Sequence, residues 1–184
     1  MKKLVMLSSV VTCLLALKFF GGADAPGARP AVGRATLPFN VARLYAREPD
    51  AALAMPVEGA RVRAVSNTWH ADRSGGRRHE GQDIFAKRGT PVRSATEGYV
   101  LRVGEGGLGG KTVFVMGAGG RAYYYAHLDG HAEGLAAGSY VTTETVLGYV
   151  GTTGNAAGTP PHLHFGVYSS EGPLNPLPLL KDRG

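Results

Sequence analysis

Glycine interrupts this chain too often for a helical bundle. There are 28 glycines in 184 residues, roughly twice the usual share of about 7%, and each one inside a helix costs about 1 kcal/mol. Charged residues make up 18% and hydrophobic residues 43%, so the excess glycine marks turns and bulges rather than a disordered chain. Between the glycines run short β-like segments, at residues 61–65, 91–95, 98–103, 111–116, 121–128, 146–151 and 162–168. No helical period separates them, and the pattern predicts a mainly β, antiparallel domain. Its expected extent is 55–180, ending in the proline-studded stretch from Pro173 to Pro178.

The start of the chain reads differently. Lys2 and Lys3 precede an apolar run over residues 4–17, and Ala23-Asp24-Ala25 has the small-x-small form of a signal-peptidase site. Residues 1–25 are therefore expected to be a signal peptide, and the protein to be exported to the periplasm, the cell envelope or the medium. Lys18 interrupts the apolar run and Pro26 follows the cut, which leaves a retained inner-membrane anchor as the alternative. The 17 residues of 4–20 fall short of the roughly 20 that span a bilayer comfortably. Residues 26–54 are expected to be a linker rich in Gly, Pro and Ala, followed by a short helix over 41–53 broken at Glu48-Pro49, because a residue before proline avoids helical angles.

Cys13 is the sole cysteine, so no disulfide framework and no Cys-rich zinc finger can form. Any metal must be held by histidines and carboxylates. Without residues 1–25 the chain keeps 17 basic and 13 acidic side chains, a net +4, which suits a soluble surface or attraction to an acidic polymer such as a bacterial wall. Arg73, Arg77, Arg78, Lys87, Arg88 and Arg93 cluster in sequence, but glycines rather than aromatics separate them, so a nucleic-acid stacking platform is not expected.

Four of the six histidines keep informative company. His79 opens His79-Glu80-Gly81-Gln82-Asp83, His127 lies in Tyr125-Ala126-His127-Leu128, and His162 and His164 sit in Pro161-His162-Leu163-His164-Phe165. Alternate residues of a strand share a face, so His162, His164, Gly166 and Tyr168 point one way and Leu163, Phe165 and Val167 the other. The same rule puts Tyr123, Tyr125 and His127 on one face, opposite Tyr124, Ala126 and Leu128. These tyrosines read as sheet packing, with room for one or two to line a cleft. His79 and Asp83, four apart around Gly81 in an expected loop or bulge, return to a common face. A catalytic zinc site takes three N/O ligands and leaves a position for water; His79, Asp83 and one of the two late histidines meet that count. The zincin motif HExxH is excluded, since its fifth position is Asp83 and the flanks are not helical.

These residues together resemble the lysostaphin/LytM-type zinc endopeptidases: His79-x-x-x-Asp83, then Ala126-His127-Leu128, then His162-Leu163-His164-Phe165. The likeness runs from about Pro56 to Pro178. It includes Asp83-Ile84-Phe85-Ala86, Gly89-Thr90-Pro91-Val92, Gly98-Tyr99-Val100, Gly148-Tyr149-Val150-Gly151, Thr153-Gly154 and Asn175-Pro176. Departures are Gln82 at a commonly apolar place, Pro160-Pro161 for the usual Gly-Pro, and Gly166 for a frequent Glu. They bear on cleft shape. His70 and His131 match nothing and are expected in surface or turn roles. The resemblance implies an antiparallel β fold with a long groove and one zinc held by His79, Asp83 and His164. It implies His127 and His162 as the catalytic pair, one accepting the proton of the attacking water and the other bonding the developing oxyanion, with the division between them open.

The implied substrate is the peptide part of bacterial peptidoglycan, either a glycine bridge or a D-alanyl–diaminopimelate link, cut by a monomer. The segment 26–55 is then either a linker or a latency segment folded back over the groove. The rival readings are a LytM-type domain without catalysis that activates an amidase, a biotinyl/lipoyl-like carrier and a metal-storage or wall-binding protein. A carrier needs a suitable hairpin lysine, which Lys111 between Gly110 and Thr112 does not supply, and storage or wall binding needs no His127.

Overall fold

The computed structural model describes residues 32–184; the expected targeting segment, 1–25, lies outside the described residues. A helix, α1, spans Val32–Tyr45 with Pro38 inside it and Arg43 in its last turn. It lies earlier in the chain than the helix expected over 41–53. The reason is tertiary: residues after Tyr45 are taken up by contacts with the sheet, which override local propensity. Thr96 bonds the Asp50 carboxylate and Arg121 donates to the Asp50 carbonyl at 2.9 Å. Tyr45 covers Gly120, where a Cβ would fall 2.4 Å from the tyrosine ring.

The strands are β1 (Leu53–Ala54), β2 (Asp72–Arg73), β3 (Arg77–Arg78), β4 (Gln82–Phe85), β5 (Pro91–Arg93), β6 (Gly98–Gly104), β7 (Lys111–Met116), β8 (Ala122–His131), β9 (Tyr140–Val141), β10 (Val146–Val150), β11 (His162–Ser169), β12 (Gly172–Leu174) and β13 (Leu180–Lys181). The fold is mainly β. Nine of these strands form one sheet, along the path β12-β11-β8-β7-β6-β9, with β4 on β11 and β10 on both β5 and β8. Every pairing in it is antiparallel. The expected strand at 61–65 is instead a 3₁₀ turn, Val62–Ala64, in which no residue is fully buried and Val62 packs on the edge of the core.

One irregularity shapes the sheet. Lys111 faces Leu128 and Val113 faces Tyr125, so β8 holds one residue more than β7 between these pairs, a β-bulge. The bulge falls at Ala126-His127, and His127 takes φ +64°, a region that non-glycine residues seldom enter. Below the bulge β8 pairs with β11, His164 opposite Ala126. Above it β8 pairs with β10, Leu128 opposite Val150. The sheet forks at His127. The extra residue also resets the alternation: Tyr123, Tyr125 and Leu128 are fully buried, while Tyr124, Ala126 and His127 line the groove. The expectation that His127 shares a face with Tyr123 and Tyr125 is therefore corrected by the bulge. On β11 the alternation holds, with Leu163, Phe165 and Val167 fully buried in the core.

The two ends of the domain meet. β1 pairs in parallel with β13, Leu53 opposite Leu180. The Arg183 guanidinium then donates to three carbonyls from separate segments, Met55 and Thr143 at 2.7 Å and Ser94 at 2.9 Å.

Two outcomes follow for stability, both read by chemical denaturation. Because His127 occupies the left-handed region, His127→Gly should be more stable than His127→Ala by about 1 kcal/mol or more; the usual strand order, Ala above Gly, would contradict the bulge. Arg183→Ala strands three carbonyls and should cost about 2–3 kcal/mol, with Arg183→Lys recovering only part because it lacks the planar fork.

Candidate active site

A groove of about 580 Å³ runs over β4, β11 and β8, and all five sequence-predicted residues line it. His164 on β11 faces Asp83 on β4 on one side and Ala126 on β8 on the other. His162 lies two residues along β11. His79 enters from the segment before β4, fixed by its own backbone: its N–H donates to Ala71 O at 3.0 Å and its carbonyl accepts from His70 N at 2.9 Å. None of the described residues of the 26–55 segment lines the groove.

Three donor atoms converge at its floor. His79 Nε2 lies 3.0 Å and His164 Nδ1 3.3 Å from Asp83 Oδ1, and the two imidazole nitrogens lie 2.7 Å apart. His79 Nδ1 stands 2.7 Å from the Thr68 carbonyl, which can only accept, so Nδ1 carries the proton and Nε2 offers its lone pair. Two imidazole nitrogens and a carboxylate oxygen, facing an open groove, make a donor set that suits a metal ion of the zinc type. Burial works against the Asp83 charge, but its close contacts with the His164 and His79 rings outweigh it and hold the carboxyl well below the usual carboxylate range. Burial pushes the His164 pKa down. Its ring lies flat against Gly81, where a Cβ would come within 2.7 Å of His164 Cε1. Gly81 sits in the expected bend, just before β4, and these contacts, with the Phe165 carbonyl equally close at 2.7 Å, exclude a side chain there as well.

His127 and His162 stand beside this cluster, their rings edge to face at 5.1 Å. Each is oriented by a carbonyl: His127 Nδ1 donates to Thr153 O at 2.9 Å, and His162 Nδ1 to Pro160 O at 2.9 Å. Both neutral rings therefore present Nε2 as an acceptor. His162 Nε2 is 4.0 Å from Asp83 Oδ1. Burial, with some help from the neighbouring histidines, pushes the His127 pKa down to about 4 despite the Thr153 bond.

Sequence reasoning missed the residues that hold these rings. Thr68 accepts from His79 through its carbonyl, receives the Asp83 N–H on Oγ1 at 3.0 Å, and bonds the fully buried Gln82 through both N–H and hydroxyl. Gln82 in turn donates to Asn67 at 2.9 Å and Asn175 at 3.2 Å, so this departure from an apolar residue is a fully satisfied polar tie beneath the site. Arg73 pairs with Asp83 through Oδ2, the oxygen turned away from the histidines. Of the tyrosines, Tyr124 lines the groove. His70 sits exposed in a turn at φ +60°, and His131 bonds Thr112 O at 3.1 Å.

A family model described as peptidase family M23 matches residues 77–176, which include all five side chains and more than half of the chain. The chain belongs to peptidase family M23. The M23 domain is 41% identical over 113 residues to the L-Ala–D-Glu endopeptidase of Bacillus subtilis, an overlap of 58% of this chain and 35% of that protein. This chain thus spans about a third of that relative's length. Its structure is similar to the catalytic domain of the antimicrobial peptidase lysostaphin from Staphylococcus simulans, with TM-score 0.56 and 27% identity, covering 64% of this chain and 92% of that one. It is also similar to a zinc-containing peptidase from Vibrio cholerae, with TM-score 0.59 and 27% identity over 70% of this chain and 40% of that one. The lysostaphin/LytM-type resemblance read from the motifs is borne out.

The low His127 pKa sets a sign for pH. An unfolded histidine takes a proton below about 6.5, whereas the buried ring refuses it down to about 4. The metal-free M23 domain should therefore lose stability as the pH falls from about 6.5 to about 4 and hold it above that window. Thermal unfolding with chelator present should show a shallower slope for His127→Asn, the remainder belonging to His164; an unchanged slope would place the effect elsewhere.

Proposed function

We propose that this M23 domain is an exported zinc endopeptidase that hydrolyses peptide links in bacterial peptidoglycan, the substrate class suggested by the L-Ala–D-Glu endopeptidase to which it is similar. The carrying observation is a pair of imidazoles, each with Nδ1 tied to a backbone carbonyl and Nε2 free, beside a His-Asp-His donor cluster in one open groove. His79, Asp83 and His164 are the ligands in this reading, and His127 and His162 the catalytic pair. Residues 1–25 direct the chain out of the cytoplasm, to the periplasm or envelope, where the wall is its partner.

Bound zinc supplies Lewis acidity, which lowers the pKa of water toward 7 and polarises a carbonyl. The chain supplies the proton transfers. One imidazole Nε2 accepts the proton of the attacking water and then returns it to the leaving amine; the other bonds the developing oxyanion as an imidazolium, having taken a second proton from solvent at Nε2 while its Nδ1–H stays on its carbonyl. Because Thr153 and Pro160 fix the rings, neither has to reorient between these steps. A wall-binding activator has no use for two such oriented acceptors at a metal cluster, so the non-catalytic alternative is not adopted.

The test is digestion of purified peptidoglycan by the zinc-loaded chain, with products identified by mass spectrometry and metal content measured alongside. His79→Ala, Asp83→Ala and His164→Ala should lose zinc and activity together, as should chelation. His127→Ala and His162→Ala should keep zinc yet fall about 10²–10⁴-fold in rate, the usual contribution of a general acid or base. A folded, zinc-loaded protein that releases no peptide fragments would sink the proposal.

A further inference from the structure

The groove is polar from end to end in the electrical sense. Register fixes its axis, because Phe85 faces His162, and Asp83 faces His164, on antiparallel strands. The segment leading into β4 therefore lies toward Gly166 and Tyr168, and the residues following Asp83 lie toward His162. Beyond His162 the lining is uncharged, with Thr159 and Pro160 beside two exposed apolar side chains, Phe85 at 56% and Leu108 at 58% exposure. Every charged lining residue outside the central cluster comes instead from the segment that leads into β4. Three are arginines, Arg73, Arg77 and Arg78, on the hairpin of β2 and β3; the one carboxylate there is Glu80.

The hairpin is held in place rather than free to swing. Arg73 faces Arg77 and Asp72 faces Arg78 in its ladder. Arg78 bonds Asp72 at 2.8 Å and the His70 carbonyl at 3.1 Å, and Arg73 is anchored on Asp83. Arg77 lies between these anchors, exposed and lining the groove. A guanidinium held on a rigid support is suited to a carboxylate, which it meets with two parallel bonds.

We propose that the hairpin end of the groove is a carboxylate-recognition subsite, with Arg77 its principal contact, so that the preferred substrate is a peptide carrying a free carboxylate near the bond cut rather than a neutral oligoglycine. This rests on the endopeptidase reading of the same site. The arginines border the groove that holds the histidine cluster, so the group they bind belongs to the peptide lying across that cluster. Arg73, which faces Arg77 across the hairpin, is itself paired with Asp83 of the cluster, which puts the carboxylate within a few residues of the reacting bond. The apolar end, by the same polarity, takes the small uncharged part of the peptide.

The experiment uses fluorescent oligoglycine peptides with a single glutamate, or the isosteric glutamine, on one side or the other of the central bond. Binding to the zinc-loaded chain is measured by anisotropy at low and high salt, and hydrolysis by product release. The glutamate peptide of one orientation should bind about tenfold or more tightly than its glutamine twin, and the gap should narrow with salt. Arg77→Gln should remove the preference, Arg77→Lys should keep part of it, and Arg63→Gln, outside the groove, should leave it intact. Equal binding of the twins in both orientations, or a preference that survives Arg77→Gln, overturns the proposal. Hydrolysis without preference would do so while leaving the endopeptidase reading in place; charge-selective binding without hydrolysis would uphold the subsite, and only a failure to digest peptidoglycan as well would remove that reading.

Discussion

One surplus residue in β8 organises the rest of the molecule. Without it, His127 would continue the alternation of Tyr123 and Tyr125 and point into the core, where side chains such as Phe165 and Val113 offer an imidazole no bonding partner. With it, the strand changes neighbour from β11 to β10, the sheet opens, and the ring swings to the groove side. The left-handed backbone at His127 is the local cost, on the order of 1–3 kcal/mol. It is offset by the ladders on either side and by the bond to Thr153. The strain and the catalytic role proposed for this histidine thus share one residue, as is common where structure is bent to chemistry.

The second dependence is on carbonyl oxygens. Thr68, Thr153 and Pro160 each accept one imidazole Nδ1–H, and an acceptor with no proton of its own leaves the ring no choice of tautomer. Three segments with no regular secondary structure therefore decide which nitrogen faces the groove. Gln82 extends this arrangement downward by joining Asn67 and Thr68 to Asn175, so the loop that holds His79 is fastened to the chain near the far end of the domain.

The His-x-x-x-Asp and His-x-His spacings pointed to the site because strands convert short spacings into shared faces, and the register of β4 against β11 does bring Asp83 opposite His164. Short glycine-bounded runs likewise indicated most of the long strands. What escaped was of three kinds. The parity break at His127 has no side-chain signature, since a period-two rule assumes an unbroken ladder. The orienting groups are main-chain carbonyls, which every residue possesses, so nothing singles out Thr68 or Pro160 in advance. Gly81 does lie in a bend, but the His164 ring and Phe165 carbonyl that close on it belong to residues more than eighty positions away, which no local pattern shows. The shift of α1 has a related origin, as Asp50 and Pro49 are drawn into contacts with Thr96 and Gly119 that no local pattern announces.

The clamp made by Arg183 has a consequence for the order of events in the cell. Its three acceptors, Met55, Ser94 and Thr143, belong to the early, middle and late parts of the domain, and β1 waits for β13 before it has a partner. A chain emerging from the ribosome amino end first therefore cannot complete this closure until the segment around Arg183 is also out. The nascent domain remains unlocked until Arg183 has emerged, which delays assembly of the groove behind that of the individual hairpins.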